Sequence, residues 1–225
     1  MKKMNCLKGF TLIELLIAVV ISGLVAGSMY TVFRSQHDSY VAQEQIVEIQ
    51  QNIRAAMYMM AREIRMAGYD PDSIANARII SASNNLISFS FVADDDGTDN
   101  DNDGSTDEAG ELKTITYDVY DAYGDGDNDI GRQVGTATKM AIAENIEQLE
   151  LFYTLSNGTT TLAPTNMSNI RTVQITILAR SGKRDKKFTN TTTYTTPGGQ
   201  TWGPFNDNFR RRFMTTNVKC RNMGL

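Results

Sequence analysis

The residues of this sequence whose types and spacing best suit metal binding are a run of alternating acidic residues. Residues 94–108 hold eight acidic residues and no basic one. Three of the aspartates alternate and are followed by Gly104, which is the first half of a calcium-binding loop: oxygen ligands at every second position, then a turning glycine. This pattern predicts a Ca²⁺ site, with the last two acids completing the coordination directly or through water. The expected ligands are Asp99, Asp101, Asp103, Asp107 and Glu108.

The loop departs from a helix-loop-helix calcium site. Gly110 stands where that pattern needs a bidentate glutamate, so the loop would be free-standing. A second acidic turn, Asp125 to Asp129, has the same spacing but carries Ile130 in place of the glycine. For both turns the alternative interpretation is a solvated acidic connection between strands.

No arrangement of residues typical of catalysis is present in the sequence. His37 is the single histidine, and without it no Ser/His/Asp, Cys/His or zinc-spaced set can be assembled. We therefore do not expect an enzyme. Cys220 is either a buried small hydrophobic residue or a thiol for a partner. Arg210 to Arg212, with Lys219 and Arg221, form a C-terminal basic patch. It would meet DNA phosphates or an acidic partner face, or line the solvated side of an edge strand.

Glu14 is a carboxylate inside an apolar segment. From Phe10 to Phe33 the chain has 24 residues and no other charge, which is long enough for a helix to cross a bilayer. An acid in such a segment costs about 2.5 kcal/mol or more and is usually paired. The nearest cation would be the α-amine that cleavage after Gly9 creates on Phe10, in the same or a neighbouring subunit.

The residues before the apolar segment set its orientation. Lys2, Lys3 and Lys8 precede it, so the positive-inside rule places the N-terminus in the cytoplasm and the rest of the chain outside. Loss of these three lysines with the leader leaves 19 basic against 26 acidic residues, a formal charge of −7. Such an acidic chain is a poor non-specific binder of nucleic acid.

A long helix and a sheet should position these residues. Apolar residues recur at three- and four-residue spacing from Val41 to Ile64, which predicts that the helix continues to about Met66. Gly68 and Pro71 then supply a stop. Segments that alternate apolar and polar residues follow and predict strands; they are Leu86–Val92, Leu112–Tyr120, Ile146–Tyr153 and Thr172–Leu178, with weaker candidates at Lys187–Thr195 and Phe209–Lys219.

These patterns predict an α+β fold in which a long N-terminal helix packs on an antiparallel sheet. We divide the chain into a leader, a transmembrane half of the helix, an amphipathic half of the helix, and a β-rich globular head. Their limits are 1–9, 10–33, 34–68 and 69–225.

The N-terminal motif resembles the signal of type IV prepilins and of type II secretion pseudopilins. It reads Gly9-Phe10-Thr11-Leu12-Ile13-Glu14. The resemblance implies that a prepilin peptidase cuts after Gly9 and methylates Phe10. It also implies that Glu14 neutralises a neighbouring N-terminus during assembly.

The rest of the chain is similar to the PilW-type minor pilins and, in outline, to the J-type pseudopilins. The stretches that carry this likeness are Arg62–Tyr69, the acidic insertion before Ile115-Thr116-Tyr117, Arg171–Ile175, and the ending from Arg211. The resemblance implies a pilin-like fold and a role in pilus priming or in the tip complex. The partners it implies are other minor and major pilins, prepilin peptidase and the inner-membrane assembly platform. The protein would reside in the inner membrane with a periplasmic head and then in the extracellular pilus.

Two other functions stay open at this point. The first is a pseudopilin of a type II secretion system, which shares the N-terminal motif. The second is a head that acts as a calcium-stabilised tip adhesin or DNA-binding module.

Overall fold

The computed structural model describes residues 9–93, 97, 99, 104, 105 and 111–224. Within them lie one α-helix, α1 (Leu12–Ile64), and a short 3₁₀ turn at Met167–Asn169. The strands are β1 (Ile79–Ala82), β2 (Ile87–Val92), β3 (Leu112–Tyr120), β4 (Asn128–Val134), β5 (Met140–Leu155), β6 (Thr160–Thr161), β7 (Ile170–Arg180), β8 (Tyr194–Thr195), β9 (Thr201–Trp202) and β10 (Arg211–Lys219). The chain divides into two compact units, Met1–Glu44 and Gln45–Leu225.

Helix α1 is long and apolar enough to cross a membrane. It ends at Ile64, two residues before the predicted end, because the chain tightens there: the Met66 and Ala67 amides donate to carbonyls three residues back. Gly68 then adopts a left-handed conformation with φ of 76°. A side chain at Gly68 would lie 2.7 Å from Met223 Sδ, so it would strain the backbone and displace Met223.

The main sheet is antiparallel throughout. Its strands lie in the order β1-β2-β3-β4-β5-β7-β10, and β6 pairs with β5. Strand β3 has the predicted bounds, whereas β5 is twice the predicted length. The sequence analysis missed β1, β4 and the two-residue strands β6 and β9. The α+β fold that it predicted, a long helix with an antiparallel sheet, is confirmed.

The predicted strand over Lys187–Thr195 is wrong except for its last two residues, which pair with β9, and for an isolated bridge between Asn190 and Asp207. Side chains in this segment and just before it accept bonds from backbone amides two residues further on. Asp185 accepts from the Lys187 amide at 3.0 Å, and Asn190 accepts from the Thr192 amide at 3.1 Å. Local bonds of this kind compete with strand pairing.

The hydrophobic core of the second unit joins α1 to one face of the sheet. The buried helix residues recur every three or four positions and include Ile49, Ile53, Met60 and Ile64. Fully buried sheet residues such as Ile115 and Leu151 belong to the same cluster. Glu63, near the end of α1, accepts from Arg132 Nη2 at 2.7 Å and Nε at 3.0 Å, so an ion pair ties the helix end to β4.

The chain between β7 and β10 packs against other sheet residues. Glu150 of β5 is completely buried and accepts from the Thr196 hydroxyl at 2.5 Å and the Gly198 amide at 3.0 Å. Tyr194 stacks on Phe213 of β10, and Trp202 contacts the Phe213 ring edge-on. The donors that satisfy the buried Glu150 carboxylate come from a segment that is distant in the chain.

Candidate functional site

The Gly9–Phe10 peptide bond lies in non-helical chain before α1. Both residues are exposed, and 86% of Phe10 is accessible. No atom lies within 4 Å of the position that a Gly9 side chain would take. The backbone at the predicted cleavage position is therefore accessible and uncrowded by other atoms of the first unit.

Thr11 and Glu14 form a capping box at the start of α1. The Thr11 amide and hydroxyl both donate to Glu14 Oε2, at 2.9 and 2.8 Å, and the Glu14 amide donates to Thr11 Oγ1 at 3.3 Å. Such reciprocal bonds satisfy backbone donors that the first helical turn leaves open. The sequence analysis missed this pair, although Thr-x-x-Glu before an apolar run is its known signature.

The capping box changes the expectation for Glu14. In the uncleaved chain the carboxylate binds Thr11, and the α-amine of Phe10 does not yet exist. The predicted pairing of Glu14 with an N-terminal amine stays a prediction about the processed protein. It requires that the carboxylate exchange or share its Thr11 bonds.

The structure describes only part of the predicted calcium loop. Asp99 Oδ2 accepts from the Gly104 amide at 3.0 Å, so the two ends of that stretch are linked by a side-chain bond. Asp101, Asp103, Asp107 and Glu108 lie outside the described residues. Across the described ranges, no three histidine, cysteine, aspartate or glutamate side chains meet as a metal site would require.

The C-terminal arginines do not form a free basic patch. The Arg211 side chain is fully buried and donates from Nη2 to Glu147 at 2.9 Å and to Asp207 at 2.7 Å. Arg210 binds Asp185 at 2.7 Å. Arg211 therefore does not lie on a solvated side of the strand, because its buried charge is paired inside the fold, and Arg210 is paired with Asp185 just before β10. Strand β10 is the edge strand that was expected.

Cys220 is buried, with 2% of its surface accessible. Burial raises the pKa of its thiol to about 12. A thiol that stays protonated in an apolar site reacts poorly. The residue packs as a small hydrophobic side chain in this structure.

Comparison with known proteins identifies both regions of the chain. Residues 105–222 match the family profile described as type IV pilus-assembly protein W, PilW. Residues 4–30 match the prokaryotic N-terminal methylation motif. No curated protein sequence matches at a significant level.

A solved structure shares the fold. The type IV-like pilin TTHA1219 from Thermus thermophilus superposes with a TM-score of 0.51 at 18% sequence identity, covering 78% of this chain and 98% of that one. At that identity the likeness concerns the fold, which is the long helix and antiparallel sheet of a pilin. The PilW profile covers just over half of the chain and the methylation motif covers its start. The chain therefore belongs to the PilW family of type IV pilus-assembly proteins and is a minor pilin with a prepilin-type N-terminus.

Proposed function

We propose that this minor pilin acts in the complex that primes assembly and then occupies the pilus tip. The structure of its head supports this proposal. In addition to the core between α1 and the sheet, long segments outside the main strands pack on sheet residues such as Glu150. A bulk subunit must repeat its head contacts along the whole fibre. A subunit at the end of the fibre is free of that constraint and can carry a larger, more elaborate head.

An epitope inserted at the exposed Gly158 turn would test this location. We expect immunogold label at pilus ends, and few pili in a strain that lacks the gene. Label along the shaft, with normal pilus numbers in the deletion strain, would contradict the proposal and indicate a bulk subunit.

We propose that processing proceeds at the N-terminal motif. Prepilin peptidase would cut after Gly9 and methylate Phe10, and the processed helix would remain in the inner membrane with the N-terminus cytoplasmic and the head periplasmic. The open Gly9 backbone and the membrane-length helix support this order of events. Extraction into the pilus would follow through the assembly platform.

Glu14 would then serve assembly. Once cleavage exposes the Phe10 amine, a Glu14 carboxylate of an adjacent subunit has a cation within a low-dielectric environment, where such a pair is strong. The pair would set the axial register between neighbouring pilin helices. Other minor and major pilins are the partners that present such an N-terminus.

We also propose that Ca²⁺ orders the loop at residues 94–108. The sequence pattern of its aspartates, and the bond between Asp99 and the Gly104 amide that already closes part of the loop, support this. The ion would strengthen the connection between β2 and β3. This role would be structural support for the head; DNA binding finds no support in the internally paired Arg210 and Arg211.

A further inference from the structure

A polar cleft lies in the second unit between α1 and the first half of β5. Its volume is about 390 Å³, within the range of about 300–1,000 Å³ that ligand sites occupy. Glu48, Ile49 and Asn52 line it from the helix, and Glu144 and Asn145 line it from β5. We propose that this cleft receives the basic side chain, arginine or lysine, of a neighbouring pilin subunit.

Strand β5 is irregular where it lines the cleft. Asn145 has a φ of 58°, in the left-handed region, and the strand shifts its register against β7 between Ile146 and Gln148. Its register against β4 also shifts in this part of the strand. Such bulges bend a strand and redirect its side chains, and they recur next to functional sites. Asn52 Nδ2 donates to the Glu144 carbonyl at 2.7 Å, which ties the helix to the irregular strand.

Gln45 provides the observation that points to a ligand. It lies one turn before Ile49, on the helix face that borders the cleft. Only 9% of Gln45 is accessible, yet its buried Oε1 has no hydrogen-bond partner in the described part of the chain. A buried amide oxygen without a donor costs free energy. A ligand that brings a hydrogen-bond donor to this face of the helix would remove that cost.

The charged groups that remain unpaired in the cleft are hydrogen-bond acceptors. Glu48 and Glu144 are exposed, and neither carboxylate forms an ion pair within the described ranges. The excess of negative charge extends further: burial, followed by the charges of Asp125 and Glu144, raises the pKa of the Asp129 carboxyl. An ammonium or guanidinium group carries a positive charge and several donors. It therefore suits the cleft better than a neutral or anionic group does.

Arg180 also lines the cleft, but its charge is engaged by other groups. Nη2 lies 3.3 Å from Asp127 Oδ2, and the guanidinium lies 4.5 Å from the centre of the Phe209 ring. Arg180 therefore compensates Asp127 and leaves the carboxylates of Glu48 and Glu144 to a cation from outside the chain.

A neighbouring pilin is the source of that cation. The chain belongs to a family of pilus-assembly proteins, and pilins assemble through contacts with other pilins. Arginine is among the residues that contribute most binding energy to protein interfaces, where it inserts into pockets of the partner. The inference rests on family membership and not on a position at the pilus tip, so label along the pilus shaft would leave it intact.

Methyl NMR of the full-length, detergent-purified chain would test the site, with N-acetyl-arginine amide as the probe. Ile49 and Ile142 line the cleft, and the exposed Ile74 lies outside it, so isoleucine methyl labels report on both places. We expect saturable shifts at Ile49 and Ile142 and none at Ile74. The uncharged N-acetyl-glutamine amide should shift none of them. Equal shifts with both probes, or no shift with the arginine probe, would contradict the proposal.

Variants of the lining acids should weaken binding of the arginine probe. Glu48→Gln and Glu144→Gln each remove one negative charge and should each reduce the affinity severalfold. Asp72→Asn removes an exposed acid outside the cleft and is the control that should not. Unchanged affinity in both glutamine variants would mean that the carboxylates do not hold the cation.

Gln45→Met separates a binding role of Gln45 from a structural one. It should weaken binding of the arginine probe and raise the midpoint of urea unfolding of the chain without the probe, because an apolar side chain of similar shape removes the unsatisfied oxygen. A lowered midpoint would show that Gln45 is satisfied within the fold and would overturn the proposal.

A photo-crosslinker at Gln51, an exposed residue of the cleft, would identify the partner in cells that assemble pili. We expect an adduct with another pilin subunit next to an arginine or lysine, and loss of the adduct when that residue is replaced by glutamine. Absence of an adduct, or an adduct that survives the replacement, would overturn the docking. Probe binding by the purified chain needs no pilus, so a failed role in priming or at the tip stays distinguishable from a failed cleft.

Discussion

Glu14 and Thr11 hold each other at the first turn of the long helix through three reciprocal hydrogen bonds. The bonds give the carboxylate a partner before processing, in a segment where an unpaired acid is costly. They also fix the side chain next to Phe10, the residue whose amine cleavage would release. The Glu14 carboxylate can therefore pair with Thr11 of its own chain before assembly and with the N-terminal amine of a neighbouring chain after it.

The charge of Glu14 should matter for assembly more than its hydrogen bonds. Glu14→Gln keeps an acceptor for the Thr11 amide, since glutamine also completes a capping box, but cannot pair with an ammonium group. We expect Glu14→Gln and Glu14→Ala to insert normally and to be absent from sheared pili, measured by immunoblot of membrane and pilus fractions. Normal entry of Glu14→Gln into pili would show that capping, and not charge, is the role of this residue.

Processing should depend on Gly9. Gly9→Phe should block cleavage, because the peptidase must approach the backbone closely at a residue without a side chain. Intact-mass measurement of the wild-type protein should give a chain that begins at N-methylated Phe10. Gly27→Ala, a helix glycine with open space around it, is the control that should be cut normally; a wild-type product that retains residues 1–9 would refute the cleavage hypothesis.

Helix residues in the core should dominate the stability of the head. Ile53 is completely buried, and Ile53→Ala should lower the free energy of unfolding by about 2–5 kcal/mol. Tyr58, on the same helix but 73% exposed, is the matched control, and Tyr58→Ala should change it by less than about 0.5 kcal/mol. Denaturant titration of the purified full chain measures both, and equal effects would mean that this helix face does not pack as described.

Acid should weaken the fold through Asp207. Hydrogen bonds from Arg211 hold the pKa of this carboxyl below its ordinary value of 3.8. A lowered pKa in the folded state contributes stability above the ordinary value, and that contribution is lost as the pH falls through the folded pKa.

Urea unfolding between about pH 5 and about pH 3 should therefore show falling stability, and Asp207→Asn should make that decline shallower. Asp72→Asn is the control, since Asp72 is exposed. A variant with the same pH dependence as the wild type would exclude Asp207 as a source of acid sensitivity.

Calcium should raise the melting temperature of the protein through the loop at 94–108, because an ion that binds only the folded state stabilises it. Asp101→Ala combined with Asp103→Ala should remove the part of the effect that comes from this loop, with chelator as the reference condition. Equal melting of the wild type with and without calcium would leave the loop as a solvated turn.

Local patterns were enough to predict the elements whose signals lie within a few residues. The apolar run and Gly68 predicted the helix and its stop, and alternation predicted β3 with its observed bounds. Strand β4 escaped because its acidic start and Gly131 break the alternation, and its pairing with β3 comes from distant chain. The segment Lys187–Thr195 had a strand-like composition, but its backbone pairs with other chain only at Asn190 and at its last two residues within the described structure, and local side-chain bonds hold the chain between them.

The sequence by itself determined the prepilin motif, the membrane-length helix, the family resemblance and the α+β class, because each depends on residue types at short, regular spacings. Only the tertiary structure decided which charges are paired. Arg211 and Glu147 are 64 residues apart yet bind each other at 2.9 Å. Burial and pairing depend on which distant segments the fold brings together, and spacing along the chain carries no information about that.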